Sequence, residues 1–139
     1  MKRLLTAFFA LTLAMSFISV STVDVEAKTK LKKNKKLKPG KSLKNGKYKL
    51  ILQADGNLVL YKKKQAIWNT GTSGKAAPKY LAMQADGNLV LYDVTGGILW
   101  DTKTKHNPGS FLVLQSDGNL VLYNASHKVI WQTFTFEKN

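Results

Sequence analysis

The stretch Gln84-Ala85-Asp86-Gly87-Asn88-Leu89-Val90-Leu91-Tyr92 decides the fold, because the chain carries it three times. The other copies are Gln53-Ala54-Asp55-Gly56-Asn57-Leu58-Val59-Leu60-Tyr61 and Gln115-Ser116-Asp117-Gly118-Asn119-Leu120-Val121-Leu122-Tyr123. The glutamines are 31 residues apart both times, and eight of the nine positions are identical in all copies. Each copy is followed by an apolar-Trp-x-Thr-x-Thr segment: Ile67-Trp68-Asn69-Thr70-Gly71-Thr72, Leu99-Trp100-Asp101-Thr102-Lys103-Thr104 and Ile130-Trp131-Gln132-Thr133-Phe134-Thr135. An aromatic residue stands four or five positions before each glutamine: Tyr48, Tyr80 and Phe111. A fixed period of this kind sets the architecture.

Within a repeat, an apolar run such as Leu81-Ala82-Met83 leads into an Asp-Gly pair, and Asn-Leu-Val-Leu-Tyr follows. Asp-Gly between apolar runs is a strong hairpin signal. Turn residues and then the tryptophan strand come next. No helical period is present after Ala27, so the chain is all-β. A unit of this size cannot bury a core alone, but three packed about one axis can share one. A threefold β-prism fits, with Trp68, Trp100 and Trp131 filling the axis. A β-trefoil is the alternative, although its units need about 40 residues for four longer strands.

The loop chemistry predicts where the polar side chains point. In a three-residue loop a glycine closes the turn in the left-handed region, so Gly56 takes that position and Gln53 faces Asn57. Strand side chains alternate, so Asn57, Val59 and Tyr61 share one face while Leu58 and Leu60 face the core. Gln53 joins the first face and Asp55 stands at the loop tip, where its removal is expected to cost the fold little. One carboxylate, two amides, a phenol and a small apolar patch suit a ligand dense in hydroxyl groups. A hydroxyl donating to an ionised carboxylate makes a bond of roughly 1.5–3 kcal/mol.

The pattern Gln-x-Asp-x-Asn-x-Val-x-Tyr resembles the sugar-binding motif of the bulb-type (monocot) mannose-binding lectin family, over essentially the whole chain after Ala27. The resemblance implies a β-prism of three four-stranded antiparallel sheets with one shallow site per repeat. It implies that Asp and Asn hold the axial 2-hydroxyl of mannose, that Gln reaches the 3-hydroxyl and that the Tyr hydroxyl meets the 4-hydroxyl. The Val packs on the C3–C4 edge of the sugar. These roles fall on Asp55, Asn57, Gln53, Tyr61 and Val59. In the second repeat they fall on Asp86, Asn88, Gln84, Tyr92 and Val90, and in the third on Asp117, Asn119, Gln115, Tyr123 and Val121. Two departures stand out. Plant members often carry cysteine where Gly56, Gly87 or Gly118 stands, and a disulfide follows, whereas this chain has none. Family members often dimerise by exchanging C-terminal strands, and the tail here, 133–139, is short, so a homodimer is only an option.

Composition narrows the function classes. The chain has 139 residues, a net charge of +14, two histidines and no cysteine. Thiol nucleophiles, cysteine-ligated metals and H-E-x-x-H zinc hydrolysis are thereby excluded. Each repeat supplies a single acid at a fixed position, too few for a glycoside hydrolase, which normally works with two carboxylates, or for a calcium-dependent site. The expectation is a non-enzyme that binds without cofactor or metal. Carbohydrate recognition alone is the first reading; a lectin-like bacteriocin or toxin using the same sites is the alternative.

Two further segments complete the reading. Met1-Lys2-Arg3, then 17 uncharged residues from Leu4 to Val20, then a polar exit ending Val25-Glu26-Ala27, form a secretory signal pattern. Residues 1–27 are therefore expected to be cleaved after Ala27, leaving a secreted domain over 28–139 with repeats around 43–72, 75–104 and 108–135. The lysine-rich, cysteine-free style suggests a bacterial source. Lys28–Lys49 holds 11 lysines in 22 residues and no acid. It is read either as a solvated first strand with a frayed basic leader or as an attraction to an anionic surface polymer, and Leu43, Asn45-Gly46 and Tyr48 resemble the opening strand of the first repeat. Nucleic acid is not expected, since no aromatic residue interleaves these lysines before Tyr48.

Overall fold

The computed structural model describes residues 28–138. The expected signal segment and its cleavage point lie outside the described residues. Twelve strands follow in chain order: β1 (Lys30–Leu31), β2 (Lys36–Leu37), β3 (Ser42–Asn45), β4 (Tyr48–Leu52), β5 (Leu58–Lys62), β6 (Gln65–Asn69), β7 (Pro78–Met83), β8 (Leu89–Asp93), β9 (Ile98–Asp101), β10 (Phe111–Leu114), β11 (Leu120–Tyr123) and β12 (Val129–Gln132). They form three four-stranded antiparallel sheets, ordered β3-β4-β5-β6, β2-β7-β8-β9 and β1-β10-β11-β12. This is the β-prism, and the trefoil alternative falls away.

The alternation within each strand builds the core. Leu50, Leu52, Leu58 and Leu60 of the first sheet meet Leu81, Met83, Leu89 and Leu91 of the second and Leu112, Leu114, Leu120 and Leu122 of the third, all fully buried. Cutting one such leucine to alanine costs about 2–5 kcal/mol. On β6, β9 and β12 one extra residue, Ile67, Leu99 or Ile130, stands opposite the steps Leu60–Tyr61, Leu91–Tyr92 and Leu122–Tyr123. A bulge of this kind bends its strand and breaks strict alternation. It lets two consecutive residues, Ile67-Trp68, Leu99-Trp100 and Ile130-Trp131, pack against the core. The tryptophans do meet, edge to face, with ring centroids 5.6–5.7 Å apart. They are half-buried rather than fully enclosed. The leucines fill the interior and the indoles close one margin of it.

The basic leader is structural throughout: β3 is the expected opening strand, but the part before it is paired as β1 and β2 and not frayed. Each repeat supplies only three of its sheet's strands. The fourth comes from the leader: Leu31 pairs with Leu112, Leu37 with Leu81 and Leu43 with Leu50. These three leucines are buried and spaced by six residues. The positive-φ turn residues between and after them, Asn34, Gly40 and Gly46, keep the same spacing. The leader thus winds once round the axis, one short strand per sheet. Its turns are tied to equivalent carbonyls: Asn34 N–H donates to Met83 O at 2.8 Å, Gly40 N–H to Leu52 O at 2.7 Å and the Asn45 amide to Leu114 O at 3.0 Å.

One sequence equivalence is corrected. Tyr48 stands five residues before its glutamine, whereas Tyr80 and Phe111 stand four before theirs. In a strand a one-residue offset reverses the face. Tyr48 is therefore buried at 2% exposure and faces inward. The residue opposite Tyr61 is Lys49, where Tyr80 and Phe111 stand opposite Tyr92 and Tyr123.

Candidate functional site

In every repeat the loop after the first long strand closes as its residue types require. Gln53 N–H donates to Asn57 O, Gln84 N–H to Asn88 O and Gln115 N–H to Asn119 O, at 2.9–3.0 Å. Gly56, Gly87 and Gly118 all have φ between 93° and 96°, the left-handed region that glycine enters at least cost. The expected convergence follows. The Gln53 amide donates to the Tyr61 hydroxyl at 2.7 Å, and that of Gln115 to Tyr123 at 2.5 Å. In the second repeat the Tyr92 hydroxyl donates to the Gln84 carbonyl, leaving the Gln84 amide to reach the Asp86 carboxylate at 3.2 and 3.3 Å. Val59, Val90 and Val121, two residues before each tyrosine on the same strand, are buried.

The aspartates carry more structural weight than their loop-tip position suggested. Asp55, Asp86 and Asp117 each accept the backbone N–H two residues on, from Asn57, Asn88 and Asn119, at 2.9 Å. Asp55 also accepts from the Ser73 hydroxyl at 2.7 Å. The Asn57 N–H, followed by Ser73, holds Asp55 below the usual carboxylate range, and the Asn88 N–H does the same for Asp86 despite partial desolvation. Both are ionised and exposed, with lone pairs left for a ligand. Burial pushes the Tyr92 hydroxyl up, so it remains a proton donor.

The Thr-x-Thr pairs are the residues whose role the sequence reading missed. The Asn57 carbonyl accepts from the Thr70 hydroxyl at 3.1 Å and from Thr72 N–H at 3.2 Å. Asn88 is held likewise by Thr102 and Thr104, and Asn119 by Thr133 and Thr135. The second threonine of each pair donates to the loop glycine carbonyl at 2.6–2.7 Å. The asparagine carbonyl thus faces inward and only its amide N–H groups remain for a ligand. One of these donates to Asp101 in the second repeat and to Gln132 in the third, which leaves the other free. The fixed spacing between Asn and Thr-x-Thr was the signal that could have found this.

The residues matched by the family described as D-mannose binding lectin are 75–139. A monomeric monocot mannose-binding lectin from Gastrodia elata is 41% identical, with a TM-score of 0.75, over 78% of this chain and 99% of that one. The chain belongs to the D-mannose binding lectin family. A second member of known structure, the mannose-specific agglutinin of snowdrop (Galanthus nivalis) complexed with methyl-α-D-mannoside, is 35% identical at a TM-score of 0.67, over 79% of this chain and 99% of that one. The mannose-specific lectin of Narcissus pseudonarcissus is 53% identical over 38 residues, 27% of this chain and 35% of that protein. The match thus spans about a third of that curated relative. The bacterial source suggested by composition is not borne out by these relatives.

The three sites share one feature and differ in another. The loop glycines are crowded, so no side chain fits there: a Cβ at Gly87 would stand 2.2 Å from Asn107 O, and one at Gly56 would stand 2.7 Å from Ala76 O. The aromatic neighbour also differs. Tyr80 meets Tyr92 edge to face at 5.8 Å, Phe111 stacks on Tyr123 at 5.6 Å, and Lys49 takes that place beside Tyr61.

Proposed function

We propose that this protein is a three-site lectin that binds mannose-containing glycans without a metal ion and without turning them over. The observation that carries this reading is the same in all repeats: a hydrogen-bonded Gln–Tyr pair, a buried valine on the tyrosine's strand and a carboxylate pinned by the N–H of the motif asparagine. The arrangement offers an ionised acceptor, amide donors and a phenol within one shallow face, the complement of adjacent sugar hydroxyls. The named relatives from Gastrodia, Galanthus and Narcissus, described as mannose-binding or mannose-specific, support the same sugar. One carboxylate per site supplies no acid–base pair for hydrolysis. Export through Met1–Ala27 belongs to the same reading.

Each site buries little ligand, so a single mannose should bind near millimolar, about −4 kcal/mol. A dense mannan should bind about 10²–10⁴ more tightly by multivalency. Calorimetry with methyl α-mannoside and surface plasmon resonance on mannan, each repeated in EDTA, test this. Binding abolished by EDTA, or a preference for glucose over mannose, would overturn it.

A further inference from the structure

The leader strands place lysines on the same faces as the sugar sites. Residues directly opposite one another in antiparallel strands share a face. Lys36 pairs with Ala82, which pairs with Val90 of the second site. Lys30 pairs with Val113, which pairs with Val121 of the third. In the first sheet Lys44 pairs with Lys49, and Lys49 with Tyr61. Two strand spacings are about 10 Å, roughly two sugar units, and a lysine side chain spans much of that.

Side-chain geometry sharpens the point. The Lys36 ammonium lies 4.4 Å from the centre of the Tyr80 ring and that of Lys79 lies 5.5 Å from it. That ring packs on Tyr92, which bonds Gln84. Lys44 and Lys49 are like charges directly opposite, an arrangement that costs stability unless an anion intervenes. The ion pairs among the described residues involve Lys47, Lys62 and Glu137, and none of these site-margin lysines. Lys30 and Lys36 also line a cavity of about 390 Å³ together with Leu31, Leu37 and Leu43.

We propose that the preferred ligand is a phosphate-bearing mannose glycan, with the sugar in the motif site and the phosphate on the leader-side lysines: Lys44 and Lys49 at the first site, Lys36 and Lys79 at the second, Lys30 at the third. Two ammonium groups at each of the first two sites suit the charge of a phosphate, −1.5 to −2 for a monoester near neutral pH. This inference rests on the mannose reading above.

The test compares neutral mannan with phosphomannan by surface plasmon resonance, at about 50 mM and about 500 mM salt. Phosphomannan should bind tighter by roughly two- to fivefold per engaged site at low salt. The advantage should vanish at high salt and fall in a combined Lys30→Gln, Lys36→Gln, Lys44→Gln variant, whose affinity for neutral mannan stays unchanged. Phosphomannan binding no tighter than neutral mannan overturns the inference and leaves the mannose reading standing. No binding to neutral mannan at any salt defeats the mannose reading itself. Displacement of phosphomannan by inorganic polyphosphate but not by methyl α-mannoside would show a plain polyanion surface and overturn the proposal.

Discussion

The Tyr48 ring of the first repeat lies against Gly118 of the third, so closely that a Cβ on the glycine would come within 2.5 Å of Tyr48 Cζ. The contact locks the last motif loop to the first sheet, and the glycine's φ of 93° adds to the constraint. Gly118→Ala should cost about 2–4 kcal/mol through overlap and backbone strain. The Tyr48 hydroxyl is buried without a hydrogen-bond partner among the described residues, so Tyr48→Phe should be neutral or raise stability by up to about 1 kcal/mol. Urea denaturation of both variants checks this. A Phe variant much weaker than wild type would reveal a hydroxyl contact that the geometry lacks.

Thr102 holds both Asn88 and the Leu89 N–H. Thr102→Val keeps the shape and removes the hydroxyl, leaving buried partners unsatisfied at about 1–3 kcal/mol. The second site should lose affinity with it, because Asn88 is free to turn. Calorimetry in an Asp55→Ala, Asp117→Ala background isolates that site. Unchanged affinity would mean that the threonine serves the fold alone.

Acid tolerance follows from the carboxylates. Asp55 and Asp86 have values lowered from 3.8 by the N–H groups they accept. A depressed value keeps the acceptor ionised above it and fails only as pH falls through it. Binding in an Asp117→Ala variant should therefore hold steady from neutrality to about pH 4 and decline below that. A midpoint near pH 5 would contradict it.

Glu137 closes the chain against the first repeat. Its N–H donates to Asp117 O at 2.8 Å, and its carboxylate pairs with Lys62 at 2.7 Å and Lys47 at 3.0 Å. Lys62 foremost, with Lys47, brings its pKa from 4.5 down to about 2, and the Tyr48 hydroxyl nearby makes no hydrogen bond to it. Burial and the same carboxylate push Tyr48 up to about 12. A lowered carboxylate stabilises the fold above pH 4.5 and loses that contribution as pH falls towards 2. Glu137→Gln should be less stable than wild type near neutrality, with the gap closing across that window and shrinking in salt. A gap constant with pH would remove the ion pairs from the explanation.

The hairpins and the shared face of Gln53, Asn57, Val59 and Tyr61 were legible because period-two alternation and the Asp-Gly loop leave few options. Tyr48 was not, since a count of five against four looks trivial in sequence and reverses a side chain in a strand. The first two leader strands escaped notice because each is two residues long with a single leucine among lysines, whereas β3, four residues long, was legible from Leu43 and Asn45-Gly46. The leader's signal, Leu31, Leu37 and Leu43 in step with Asn34, Gly40 and Gly46, has a period of six that neither helix nor strand templates seek. The threonines show a third limit: they recur visibly, yet their partner asparagine is brought close only by the folded hairpin.

The winding of the leader has a consequence for the order of assembly. Synthesis delivers Lys30 and Lys36 first, yet Lys36 pairs with Ala82 and Lys30 with Val113. Pairings so remote in sequence form slowly, because the intervening chain must be brought together before any contact rewards it. Until then β1 and β2 are unmatched strand edges, the kind of segment that recruits other chains. Lysines on either side of each lone leucine oppose that recruitment, since charged edge strands repel their own copies. Their placement serves time as well as space, keeping β2 dissolved until the second repeat exists to receive it and β1 until the third does.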